Sequence, residues 1–256
     1  MFMIERTFLM LDRIGRFSEV KLWKQGLKHW DAFLQATHVK GISQSRKQAF
    51  DKALKLFRSK LYDYDSEFIA LKLPKPEHWR LYSFFKDQAL FLDIETSGFR
   101  NDVTVIGVYS EDLGFAQFVK GLNLDFKALQ RFVDHSKILI MFNGSSFDIP
   151  ILQKKGLTIR KPHIDLRFVC SKLNLNNGLK TVEKSLGIAR PEPVANMQGF
   201  DAVSLWHNYK IFKSNQSLKL LLQYNEEDVV NLSLIADKVV PLLEKKTLHE
   251  NIVNAL

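Results

Sequence analysis

The chain has 256 residues, of which 46% are hydrophobic and 25% are charged, a composition typical of globular proteins. Its formal net charge is +9, and its single cysteine, Cys170, excludes an internal disulfide and a zinc site built from several cysteines. No apolar run approaches the ~20 residues that a membrane span needs, so we expect no membrane partner.

The N-terminal segment also argues against export from the cell. Glu5 and Asp12 interrupt its short apolar run, and no small-residue cleavage site follows, so we predict no signal peptide. A lone cysteine is typical of a reducing compartment. We therefore expect a cytoplasmic protein with no disulfide partner.

Residues 1–88 are predicted to form a basic, mainly helical extension. They contain 17 Lys+Arg against 10 Asp+Glu, whereas residues 89–256 contain 20 against 18. Such an excess favours a polyanionic partner such as nucleic acid, although many proteins with modest positive charge bind none. Ser18 predicts the start of a helix that ends at Gly26, and apolar residues at helical spacing predict an amphipathic helix over 43–61.

The segment 89–98 reads A-L-F-L-D-I-E-T-S-G and predicts a strand that carries Asp93 and Glu95. Residues two apart in a strand face the same side, so these carboxylates lie side by side with Leu92 and Ile94 buried opposite. Two such charges repel unless a proton or a cation lies between them, and Mg²⁺ and Mn²⁺ prefer oxygen ligands. The pair alone fits an ordinary acidic surface strand equally well.

The rest of the chain predicts an α/β layered domain. Strands are expected at 103–109, 115–119 and 138–142, and helices at 126–133, 165–173, 179–186, 202–209 and 218–243. The strand at 138–142 is entirely apolar, which is typical of a strand in the middle of a sheet that is covered on both faces.

Two further motifs follow in the same order as these elements. Asn143, Phe147 and Asp148 lie in N-G-S-S-F-D, after the apolar strand and at the start of a helix. Tyr224 and Asp228 lie four residues apart in Y-N-E-E-D and share a helix face beside an apolar stripe. A carboxylate beside a buried face needs a partner, and a metal ion is one such partner.

Together, D-x-E, N-x-x-x-F-D and Y-x-x-x-D resemble the DEDD superfamily of 3′→5′ exonucleases, in the branch whose third motif carries tyrosine. Gln223 stands five residues before Asp228, so the histidine-type motif is absent. The N-terminal segment, G-L-K-T-V-E-K-S-L-G-I and Y-N-E-E-D-V-V-N-L further resemble the YprB-type, DnaQ-like proteins. The resemblance implies a ribonuclease-H-like mixed β-sheet flanked by helices, with the N-terminal helical extension.

The resemblance also implies a two-metal site. Four carboxylates would hold two Mg²⁺ or Mn²⁺ ions, one lowering the pKa of a water and the other stabilising the leaving 3′-oxygen. These are Asp93, Glu95, Asp148 and Asp228. Tyr224 would orient the attacking water while its hydroxyl stays protonated.

Several contacts with the substrate are also expected. The terminal nucleotide is expected to meet Thr96, Ser97, Asn143, Phe147 and, at its phosphate, Lys180. Core packing explains Phe147 equally well, and solvated charge is the simpler interpretation of Lys180 and Arg167. Asp165 is expected to cap a helix, with His163 in a supporting role.

We therefore predict three regions: the extension 1–88, a ribonuclease-H-like exonuclease domain 89–245 and a C-terminal tail 246–256. The expected activity is removal of 5′-mononucleotides from a free 3′ end of single-stranded nucleic acid, with DNA preferred to RNA. The alternatives are a ribonuclease or structure-specific endonuclease on the same fold, or a catalytically silent nucleic-acid-binding module.

Overall fold

The computed structural model describes residues 1–98 and 102–253, with side chains described up to residue 249. The chain divides into two compact units. One comprises Met1–Lys86 with Val240–Leu256, and the other comprises Asp87–Val239. The last three residues of the predicted tail lie outside the described residues.

The first unit is helical around an aromatic and aliphatic core. Its α-helices are α1 (Arg16–Lys24), α2 (Trp30–Gln35), α3 (Gln44–Tyr62), α4 (Ser66–Lys72) and α5 (Tyr82–Phe85), with 3₁₀ turns at Met3–Arg6 and Lys75–Leu81. Helix α3 begins after Ser43, whose side chain accepts the Arg46 N–H as a helix cap. Helix α1 instead begins after Gly15, earlier than the predicted Ser18 cap.

The second unit is built on a mixed sheet, which confirms the expected ribonuclease-H-like fold. Its strands are β1 (Ala89–Thr96), β2 (Val103–Ser110), β3 (Gly114–Val119), β4 (Ile138–Met141) and β5 (His163–Asp165). Within the described residues the strand order is β3-β2-β1-β4-β5. Strands β1, β4 and β5 run parallel, whereas β2 pairs with β1 and β3 antiparallel.

Helices cover this sheet. They are α6 (Phe126–His135), α7 (Asp148–Lys154), α8 (Leu166–Ser171), α9 (Leu179–Ser185), α10 (Gly199–Phe212) and α11 (Asn215–Val253). One face of the sheet packs Leu92 and Ile94 with Leu129 and Val133 of α6. On the other face, the strand residues Val105 and Val119 belong to a second core cluster with residues of α10 and α11.

Strand β5 is the strand of this sheet that the sequence did not predict. It has only three residues, which is too short for a period-two pattern to stand out. Its last residue, Asp165, caps α8 by accepting the Arg167 N–H, as expected. Across the described helices, none combines the length and apolar character needed to cross a membrane.

Candidate active site

Asp93 and Glu95 project from the same face of β1, close to its carboxyl end. Their neighbours Leu92 and Ile94 are 0% and 4% exposed on the opposite face. The pairing of β1 with β2 shifts register between Glu95 and Thr96. Such an irregularity bends a strand and redirects its side chains, and it is common beside active sites.

Helix α11 brings Asp228 to the same place. Ligand atoms of Asp93, Glu95 and Asp228 all lie within 4.8 Å of one another. Asp228 is 5% exposed and Glu95 is 9% exposed, so this carboxylate cluster is withdrawn from bulk solvent. Three oxygen donors at this spacing could hold a hard divalent cation.

Asp148 lies next to this cluster, at the first position of α7. Its Oδ1 accepts the backbone N–H of Ile94 at 3.1 Å, which ties the helix to the strand that carries Asp93 and Glu95. The charge of Asp148 also raises the pKa of both Asp93 and Glu95. The structure thus groups three of the predicted carboxylates tightly and keeps the fourth adjacent.

Burial and mutual repulsion work against full ionisation of these groups. Burial, followed by the charge of Asp228, holds the pKa of Asp93 and of Glu95 well above the usual range. Burial raises the pKa of Asp148 to about 7. A bound cation would reverse this effect, because an opposite charge favours the ionised form. The chemistry of the donor set therefore fits a divalent metal.

Asn225 orients Asp93 and was not predicted. Its Nδ2 donates to Asp93 Oδ2 at 3.0 Å, and its own Oδ1 accepts from Gln117 Nε2 at 3.0 Å. Gly107 lies directly opposite Asp93 in the sheet. A Cβ at Gly107 would overlap Asn225 Oδ1, so the missing side chain lets α11 approach the strands.

Arg190 is a second residue that the sequence did not reveal. Its guanidinium donates to both carboxylate oxygens of Glu183, at 2.7 Å from Nε and 2.6 Å from Nη2. The same Nη2 also donates to Asp228 Oδ1. The side chains of Arg190 and Glu183 are each 3% exposed. This buried bridge fixes the orientation of Asp228. Glu183 lies in the segment G-L-K-T-V-E-K-S-L-G-I, but no sequence signal pointed to Arg190 itself.

Two cations lie close to the ring of Tyr224, which is 5% exposed. Lys180 Nζ lies 4.4 Å and Arg190 Cζ lies 5.7 Å from the ring centroid. Burial raises the pKa of the Tyr224 hydroxyl, so it stays protonated at neutral pH, and burial lowers the pKa of Lys180. In the described part of the chain, Lys180 Nζ is buried without a hydrogen-bond partner.

The loop that carries Asn143 is organised by Asp165. The Asp165 carboxylate accepts the backbone N–H groups of Asn143 at 2.7 Å and Ser145 at 3.1 Å. Phe147 ends this loop and is 37% exposed, so it is free to meet a ligand. Thr96 and Ser97 follow the two carboxylates along the chain. Thr96 is 9% exposed, and the Ser97 N–H donates to the Asp102 carbonyl at 2.9 Å.

Comparisons with known proteins agree with this architecture. A family B DNA polymerase from the hyperthermophilic archaeon Pyrobaculum calidifontis has a similar fold, with a TM-score of 0.50 and 16% sequence identity. The similarity covers 62% of this chain but only 25% of the polymerase. No curated protein matches the chain. A model of the RNase_H superfamily matches residues 90–240, which include every carboxylate described above, and the chain belongs to that superfamily.

Proposed function

We propose that this protein is a metal-dependent 3′→5′ exonuclease of the tyrosine-type DEDD branch, similar to the DnaQ-like and YprB-type proteins. The observation that carries the proposal is the approach of Asp93, Glu95 and Asp228 to within 4.8 Å. Tyr224 supports it, because it precedes Asp228 by about one helical turn and its ring lies close to the cations of Lys180 and Arg190. Membership of the RNase_H superfamily and the carboxylate cluster together indicate a nuclease.

Asp93, Glu95 and Asp228, with Asp148 beside them, would hold Mg²⁺ or Mn²⁺, and two ions are proposed. Divalent ions bound there would supply Lewis acidity, making a water more acidic and stabilising negative charge on a departing oxygen. The chain's own residues set up the geometry. Asn225 orients Asp93 through the 3.0 Å bond to Oδ2, and Arg190 holds Asp228.

Tyr224 is proposed to orient the attacking water through its phenolic O–H. This role requires the protonated form, and burial of the side chain favours that form by raising its pKa. Lys180 is proposed to contact the phosphate of the substrate, since its buried ammonium lacks a hydrogen-bond partner among the described residues. Burial of an ammonium group that lacks a hydrogen bond is costly, so an anionic ligand would offset that cost.

The substrate is proposed to be a single strand with a free 3′ end, DNA in preference to RNA, and the product a 5′-mononucleotide. Thr96, Ser97, Asn143 and Phe147 are proposed to contact the terminal nucleotide. The partly exposed ring of Phe147 suits stacking on a base, which tolerates any sequence because every base has a π-face.

The proposed domains are 1–88, 89–245 and 246–256. We propose that the first, with its net charge of +7 from 17 Lys+Arg and 10 Asp+Glu, binds the phosphates of the strand.

The test is a gel time course on a 5′-labelled single-stranded oligonucleotide with Mn²⁺ or Mg²⁺, with DNA and RNA in parallel. We expect a ladder that shortens from the 3′ end and is abolished by EDTA and by Asp93→Asn. Tyr224→Phe should slow the reaction without abolishing it. Asp134→Asn is the matched control, because this exposed carboxylate lies on α6, across the sheet from the carboxylate cluster.

Three other outcomes would overturn the proposal. A single internal cut would indicate an endonuclease on the same fold. Digestion of RNA alone would indicate a ribonuclease. Salt-sensitive binding without cleavage would indicate a nucleic-acid-binding module.

A further inference from the structure

A cleft opens beside the carboxylate cluster, at the carboxyl edge of the sheet. Phe142 and Asn143 follow directly after β4, and Arg167 and Phe168 lie in α8, directly after β5. Strands β1, β4 and β5 are parallel, so their carboxyl ends share one edge with Asp93 and Glu95. In open α/β sheets, ligands bind at this edge.

The cleft has the size and the polar lining of a ligand site. Its volume is about 830 Å³, within the range of roughly 300–1,000 Å³ that is usual for ligand pockets. Its polar lining includes Asn143, Ser171, Asn176 and Asn177. These side chains offer both hydrogen-bond donors and acceptors, as the edges of nucleobases require.

The charge of the cleft suits an anionic ligand. Arg167 is the one charged side chain in the described lining, which holds no carboxylate. Its Nη1 donates to Asn143 Oδ1 at 2.6 Å, and this bond uses only one of the five N–H donors of a guanidinium. A second cleft, of about 760 Å³ along α11, is less suited to an anion. Its described lining contains two carboxylates, Glu226 and Glu227, and one lysine, Lys219.

The cleft also has an aromatic wall. Phe168 is 57% exposed, whereas Leu166, Val169 and Cys170 of the same helix are buried. The core therefore uses the other face of α8 and leaves the Phe168 ring available to a ligand. An exposed aromatic ring beside a guanidinium is the pairing that proteins use to stack a base and hold its phosphate.

We propose that this cleft binds one nucleotide of the substrate strand, with the base stacked on Phe168 and a phosphate on Arg167. The proposal rests on the proposed function, because it assigns to the nuclease a subsite separate from the carboxylate cluster. It also implies that Phe168 and Arg167 contribute to affinity for the strand and not to the chemical step.

The test measures binding without cleavage. Asp93→Asn protein is titrated into short single strands that carry one 2-aminopurine, placed in turn at successive positions from the 3′ end. We expect one position at which the fluorescence is quenched by stacking on Phe168. Phe168→Ala should remove this quenching and weaken binding roughly tenfold, and Phe168→Trp should restore both. Arg167→Gln should weaken binding and reduce its salt dependence.

Phe212→Ala is the matched control, since Phe212 is 74% exposed at the end of α10 and does not line the cleft. Thermal melts of the variants should coincide, because Phe168 lies outside the core. If no 2-aminopurine position depends on Phe168, and Phe168→Ala binds like its parent, the proposal is wrong.

These outcomes are separate from those of the cleavage assay. If the wild-type protein shortens strands from the 3′ end while the Phe168→Ala variant binds them normally, that result would support the exonuclease proposal and contradict the subsite. If binding depends on Phe168 but the wild-type protein cleaves no strand, the subsite is supported and the exonuclease proposal is contradicted.

Discussion

Arg190 shows how one side chain can hold a proposed metal-binding carboxylate, Asp228, through an ion pair with a glutamate of another helix. It is bonded to Glu183 and to Asp228, and Asn231 Nδ2 adds a 3.1 Å bond to Glu183 Oε1. Three charges are thus buried together, with two negative groups around one positive group. Breaking such a pair by removing one partner leaves an uncompensated charge and costs roughly 3–5 kcal/mol.

The Arg190→Met substitution should therefore lower the free energy of unfolding, measured by urea denaturation, by about that amount. The reason is that Glu183 is left buried and unpaired. It should also lose nuclease activity and bind Mn²⁺ more weakly in calorimetric titration, because Asp228 is no longer held.

The double variant Arg190→Met with Glu183→Gln separates these effects. It leaves no unpaired glutamate charge, so we expect stability to recover in large part while activity and Mn²⁺ affinity stay low. If nuclease activity and Mn²⁺ affinity also recover in the double variant, Arg190 contributes only to stability. Asp134→Asn again reports any general effect of removing a charged group.

At the scale of elements, the site depends on how closely α11 lies against β1 and β2. Asn225 can reach Asp93 only because the strand residue facing it, Gly107, has no side chain. Val229 packs against the same spot, one turn further along the helix. The helix supplies Tyr224, Asn225 and Asp228 together, so a change in its distance from the sheet displaces all three.

Gly107→Ala should accordingly lower stability by about 1–3 kcal/mol, as expected when a methyl group is forced into a packed interface. Its Cβ would lie 2.7 Å from Val229 Cγ2. Activity should fall as well, because the bond between Asn225 and Asp93 must lengthen. Urea denaturation and initial cleavage rates are the measurements.

Gly199→Ala is the control for the backbone effect of replacing glycine, since a Cβ there meets nothing within 4 Å. Equal losses in the two variants would contradict the argument from close packing.

At the scale of the whole molecule, the basic excess belongs to the N-terminal region, but much of it is already paired. Lys47 donates to Asp51 at 2.7 Å, Arg58 to Asp31 at 2.5 Å and Lys60 to Asp65 at 3.0 Å. Lys52 and Lys55 lie on the exposed side of α3. Among the basic side chains of α3, these two exposed lysines are thus the best candidates to meet a polyanion.

Reversing both charges, in Lys52→Glu with Lys55→Glu, should weaken binding of single strands and flatten the dependence of log K on log salt. The slope should fall by roughly 0.7 for each phosphate that the variant no longer neutralises. Binding by the Asp93→Asn protein at several salt concentrations measures this.

The control reverses Lys127 and Arg131, which lie on α6, across the sheet from the carboxylates. An unchanged slope in the variant at Lys52 and Lys55, or an equal change in the control, would contradict the proposal that the N-terminal region binds the strand.

Local sequence pattern determined the order of most elements, the α/β layered class and the position of Asp93 beside Glu95. The mixed sheet was what the family resemblance implied. Strand alternation places the two carboxylates on one face, and the stripe beside Asp228 places that residue at a buried surface; both depend only on neighbours along the chain. The start of α1 was missed, because Gly15 has no capping side chain and the nearby serine was the stronger local signal.

Only the tertiary structure decided which residues hold the carboxylates in place. Gly107 and Asn225 are more than a hundred residues apart, and Arg190 meets Asp228 across a separation of 38 residues. No local periodicity encodes such contacts, because they arise when a helix packs on a sheet and the buried charges must find partners. The cleft at Phe168 has the same origin, since residues after β4 and residues of α8, which follows β5, line it together.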